Sequence, residues 1–223
     1  MSNYYLNLIK SNENVQLDIN KTLQKTYILL SSTIFFSSFF SFLSIKTHGQ
    51  NLNFLIFLLF FICLLFLINY FKNTFLGIFF VFIFTGFIGY SSGPILSKFI
   101  SIKYGKEIIF YSLFLSGLIF FMSALYVTFT RKNFEFLNSF LYIGFFVIIF
   151  FYLLAYFIKL PYFYLVISGM VVIFSSVSIL YELSSVINSG EKNYVIVTVS
   201  LYLSIYNIFM SLLNIFGFLS NRE

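Results

Sequence analysis

Glu182 is the one acid embedded in a long apolar run of this 223-residue sequence, and it has the greatest capacity for chemistry of any side chain there. An ionisable group at mid-membrane costs about 2.5 to 3.5 kcal/mol on insertion scales, so such groups are paired, functional or close to the surface. Six residues separate Glu182 from the turn at Asn188, about 9 Å of helix at a rise of about 1.5 Å per residue. A carboxylate at that depth either snorkels to interfacial water or titrates as a proton gate. Ser168, Ser175, Ser178 and Ser185 share its rhythm, and in the following run Ser200, Ser204, Asn207, Ser211, Asn214 and Gly217 alternate at spacings of four and three. Each set falls on one helical stripe. The connection Asn188-Ser189-Gly190-Glu191-Lys192-Asn193 is short enough to make the two runs an antiparallel hairpin with both stripes turned inward. Hydroxyl stripes of this kind either pack helices together or line a hydrated path, and serine alone does not decide between them.

Other chemistries lack their residues. The single histidine, His48, sits between apolar runs with no nucleophile motif beside it, HExxH is absent, and no second acid is embedded for aspartyl chemistry. There is no Gly-rich phosphate loop. The lone cysteine, Cys63, excludes an internal disulfide and a Cys-based metal site. The expectation is a protein that is not an enzyme, with no cofactor, no metal and no evident small-molecule substrate.

The elements that position these residues follow from composition. The chain is 60% hydrophobic, 24% aromatic and 9% charged, with a mean hydropathy of +0.97; soluble domains carry about 25% charged residues. Seven apolar runs approach the roughly 20 residues that a helix needs to cross a bilayer: Tyr27 to Ile45, Asn53 to Phe71, Phe75 to Leu96, Ile108 to Phe129, Phe136 to Ile158, Tyr162 to Leu183 and Tyr194 to Phe218. A β-barrel is excluded because its strands alternate apolar and polar residues, whereas these runs are continuously apolar. The fold class is therefore all-α, a polytopic integral membrane protein of seven helices. Residues 1–26 form a polar N-terminal tail with Lys10, Glu13, Asp18, Lys21 and Lys25, residues 27–218 the membrane domain, and residues 219–223 a short C-terminal tail. In the third span Gly89 and Gly93 make a GxxxG with Gly86 one turn earlier, a close-packing motif, and Pro94 is expected to kink or end that helix. The net charge of +6 comes from Lys and Arg placed singly or in pairs between the runs, a pattern for lipid headgroups rather than nucleic acid. Those basic residues divide seven on the N-terminal side and six on the other, too even to orient the protein.

Longer strings carry a resemblance. Phe84-Thr85-Gly86-Phe87-Ile88-Gly89-Tyr90-Ser91-Ser92-Gly93-Pro94-Ile95-Leu96, Ala124-Leu125-Tyr126-Val127-Thr128-Phe129-Thr130-Arg131-Lys132, Tyr181-Glu182, Gly190-Glu191, Asn193-Tyr194 and Ser200-Leu201-Tyr202-Leu203-Ser204-Ile205-Tyr206-Asn207-Ile208-Phe209 are similar to the Bax inhibitor-1 family. The likeness runs from about Asn20 to the C-terminus. It implies a seven-helix bundle in the bacterial inner membrane with a cytoplasmic N-terminus and a periplasmic C-terminus. It further implies binding to the membrane AAA+ protease FtsH and to its regulators HflK and HflC, restraining degradation of membrane proteins such as the translocon. Met1, Lys10, Lys21 and Lys25 then mark the end that the protease would grasp. Other members are associated with a pH-sensitive calcium or proton leak through two aspartates, matched here by Glu182 and Ser204. One carboxylate in place of two excludes a mutual acid pair, and a leak gated at Glu182, with Ser178, Ser200, Ser204 and Asn207 as its seam, is the alternative function.

Overall fold

The computed structural model describes residues 2–50, 53–158, 161–189 and 193–220, with side chains described from Gln16 onward in the first helix. The helices are α1 (Ser2–Lys46), α2 (Phe54–Phe71), α3 (Phe75–Ile100), α4 (Gly105–Thr130), α5 (Leu137–Ile158), α6 (Pro161–Ser184) and α7 (Tyr194–Ser220). A π-helical turn, Ser185–Ser189, extends α6. All seven helices are long and apolar enough to cross a membrane. The sequence-derived spans coincide with them at the core and differ at two ends.

The first difference is at α1, which begins at Ser2 and carries the polar segment and the first span as one helix. No Gly or Pro occurs before Gly49, so nothing in the chain interrupts it. Among the described side chains its buried face runs from Thr22 through Thr26, Leu29, Leu30, Thr33, Ser41 and Ser44. The threonine hydroxyls return to their own helix, Thr22 to the Asp18 carbonyl and Thr26 to the Thr22 carbonyl, so they enter the packed face without an unmet hydrogen bond.

The second difference is in α3, which runs through Pro94 to Ile100 rather than ending there. Proline clashes with the Cβ and N–H of the residue before it, and here that residue is Gly93, which has no Cβ.

α1 packs most intimately against α3. Gly86 lies under Phe36, Gly89 against Ser37 and Gly93 against Ser44. A Cβ on Gly89 would overlap the Ser37 carbonyl, so the two backbones touch only because glycine stands there. Lipid tails are as apolar as leucine and do not drive helices together, so this close approach is what supplies the attraction. α7 occupies the centre, touching α1, α2, α3, α4 and α6. Val197, Leu201, Ile208 and Leu213 on it are fully buried. α5 lies at the periphery against α6, joined through Ala155, Ile167 and Val171. Its outward phenylalanines and isoleucines face the bilayer.

Candidate functional site

The hairpin expected from the sequence is present: α6 and α7 pack along their length. Its stripes are not uniformly inward. Ser204, Ser211 and Gly217 are buried and Ser200 is half-buried, but Asn207 and Asn214 are exposed. A four-three alternation spreads over a wide arc of helix, and α7 is covered on all sides but one narrow strip, where the two asparagines fall. On α6, Ser168 and Ser175 are buried, whereas Ser178, Glu182 and Ser185 are half-buried.

Glu182 sits two residues before the end of α6, and the Ser185 hydroxyl donates to its backbone carbonyl at 2.8 Å. Glu182 has an interaction partner of its own. That partner is not Ser204, whose hydroxyl donates to the Ser200 carbonyl at 2.9 Å and so is committed to α7 itself. The two positions matched to the acid pair are therefore not joined by a hydrogen bond. Ser175 is buried with no hydrogen-bond partner among the described residues.

The polar centre lies elsewhere, between α1, α3 and α7. The Tyr202 hydroxyl shares a 2.6 Å hydrogen bond with Ser37 and donates to the Thr85 carbonyl at 3.4 Å. One turn away Ser41 and Ser92 are 3.2 Å apart. Below them Thr198 donates to the Tyr194 carbonyl at 2.7 Å and lies 3.4 Å from the Thr26 carbonyl on α1. These contacts lock the central helix to the α1/α3 pair. A cavity of about 250 Å³ opens beside them, lined by Ser37, Ser41, Ser92, Ser116, Tyr202 and Tyr206 among apolar neighbours. The signal for this centre was in the spacing: Ser37, Ser41 and Ser44 on α1 repeat on nearly the same interval as Gly86, Gly89 and Gly93 on α3.

At the face carrying the α1 N-terminus, the connections are tied together. Ser184 accepts from the Phe134 backbone N–H at 2.9 Å and donates to the Lys132 carbonyl at 3.1 Å. The π turn swings Asn188 to the same place, where its amide donates to the Lys132 carbonyl and to Ser184. Asn193 reaches Asn73 at 2.8 Å and caps the Ile196 N–H of α7. Of the four residues taken as a protease handle, Lys21 and Lys25 are exposed on α1, with the Lys25 ammonium 5.4 Å from the Tyr194 ring centroid. Lys10 belongs to α1, and its side chain and the whole of Met1 lie outside the described residues. Among the described residues no three His, Cys, Asp or Glu side chains are grouped.

The family model described as Inhibitor of apoptosis-promoting Bax1 matches residues 19–221. The chain belongs to the Bax inhibitor-1 family. Within that family it is similar to the protein of Escherichia coli K12 named modulator of FtsH protease YccA, 40% identical over 204 residues, covering 92% of this chain and 93% of that protein. The corresponding protein of another Escherichia coli strain is named an inner membrane protein. An uncharacterized protein of Pasteurella multocida is 38% identical over 216 residues, covering 97% of this chain and 98% of that one. The family match therefore runs through all seven membrane helices.

Proposed function

We propose that this protein is a non-enzymatic, multi-pass protein of the bacterial inner membrane that binds an FtsH-type AAA+ protease and modulates its degradation of membrane proteins, the translocon among them. The observation that carries this reading is the 40% identity, over nearly the whole of both chains, to a protein named for modulating FtsH protease. In this reading the N-terminus is cytoplasmic, which puts the polar start of α1 on the side where the protease has its motor, and HflK and HflC are further partners. The fold supports a handle at residues 2–15: those residues continue α1 as a helix on the N-terminal side of Thr22, the first buried residue among the described side chains. An AAA+ motor needs such an end that can be gripped before the packed part is reached.

The leak reading gated at Glu182 needs a continuous polar seam through the hairpin. Ser204 donates to the Ser200 carbonyl and Asn207 is on the exposed strip of α7, and both observations favour the protease reading over the seam.

Co-purification from mildly solubilised membranes tests the proposal. The full-length tagged protein is expected to bring FtsH with it, and a version lacking residues 2–15 to lose most of that association. Cutting further, through Asn20, would also remove residues that pack at the α1 foot, so the shorter deletion is the cleaner test. Absence of FtsH from the full-length preparation, in membranes that contain it, would contradict the reading.

A further inference from the structure

The cavity at the N-terminal face has the chemistry of an anion site, and we propose that it holds the phosphate of an anionic phospholipid headgroup on Arg131. The cavity is about 440 Å³, within the range of about 300–1,000 Å³ typical of small-molecule sites. Its polar wall is Gln16 and Asn20 from α1, Thr128 and Arg131 from the end of α4, and Asn188 from the π turn. Among the described residues no carboxylate lines it and Arg131 makes no ion pair. A guanidinium with its planar fork of donors free is suited to the paired oxygens of a phosphate.

The site is held in shape. Arg131 closes α4 in the left-handed conformation, φ 48°, with its N–H on the Val127 carbonyl. The next residue, Lys132, gives its carbonyl to both Ser184 and Asn188. Asn188 thereby spends its amide N–H groups on the frame, and its carbonyl oxygen is the part left to meet a ligand. The occupant consequently needs acceptor oxygens for Arg131 and a donor, such as a glycerol hydroxyl, for Asn188. A phosphatidylglycerol headgroup offers both. The remaining wall, Ile19, Leu23 and Ile187, is apolar and continuous with a membrane span, which favours a ligand with hydrocarbon behind its phosphate over one from solution. Exposed Lys21 and Lys25 add positive charge on the same face, where anionic lipids gather. The proposal stands apart from the protease reading, since it requires no protein partner.

The test uses the purified full-length protein in detergent, titrated with phosphatidylglycerol or phosphatidylcholine and read by native mass spectrometry. Arg131→Asn is the informative variant, because asparagine tolerates the left-handed backbone and removes the charge. A charge-assisted hydrogen bond is worth enough that its loss is expected to weaken phosphatidylglycerol retention about tenfold, to the level of phosphatidylcholine. Arg131→Lys, which keeps the charge without the fork, is expected to fall between, and Lys132→Gln to match the wild type. Equal retention of the two lipids by the wild type, or an equal loss in Lys132→Gln, would overturn the site. Displacement of phosphatidylglycerol by millimolar inorganic phosphate would overturn the lipid as its occupant.

Discussion

Tyr202 shows what single residues contribute in a bundle whose core is almost wholly apolar. Its hydroxyl reaches Ser37 on α1 and the Thr85 carbonyl on α3, so one atom bridges three helices. Hydrogen bonds between membrane helices average about 0.6 kcal/mol, because the separated helices also find partners. Tyr202→Phe is therefore expected to cost about 0.5 to 1 kcal/mol, read as a small fall in the unfolding midpoint in detergent, with the fold retained. Ser184→Ala is expected to speed hydrogen exchange at the Phe134 amide, since that N–H has Ser184 as its acceptor. Glu182→Gln is expected to leave association with FtsH unchanged, and loss of association in that variant would show that the carboxylate belongs to the binding surface. Glu182 was conspicuous in the sequence because charge is rare in an apolar run. Tyr202 was not, because it is one of 17 tyrosines and 36 phenylalanines, and only the tertiary fold distinguishes it.

The contact between α1 and α3 depends on glycine at the points where the backbones meet. Gly89→Val places a branched side chain into the Ser37 carbonyl, and the helices have to separate. Overpacking of this kind costs about 1–3 kcal/mol or more. It is expected to lower the thermal midpoint clearly, whereas Gly169→Ala, where a Cβ meets nothing within 4 Å, is expected to leave it unchanged. The seven spans and the close-packing glycines were legible in the sequence because apolar length and small-residue spacing are local properties. The early start of α1 was not, since a polar segment reads as a tail until Thr22 and Thr26 are seen buried against neighbouring helices. That α3 continues past Pro94 rather than ending there depends on the residue before it, because Gly93 removes much of the clash. The inward hairpin stripes were half right, because periodicity gives the angle of a side chain on its helix and not which angles the neighbours cover.

At the scale of the molecule, α7 is the buried axis and α5 an outer helix whose main packing partner is α6. The wide apolar surface of α2, α4 and α5 is what a membrane partner would meet, and under the proposed orientation the helical N-terminal segment is what a cytoplasmic motor would grip. In the proposed reading such a protein would act on the protease, and its effect would be seen in the fate of other membrane proteins. The decisive measurement is the half-life of an unassembled translocon subunit, followed by pulse-chase in bacteria producing this protein, the version lacking residues 2–15, or neither. The full-length protein is predicted to lengthen that half-life severalfold and the shortened version to do so much less. An unchanged half-life with the full-length protein present in the membrane beside FtsH would contradict the account.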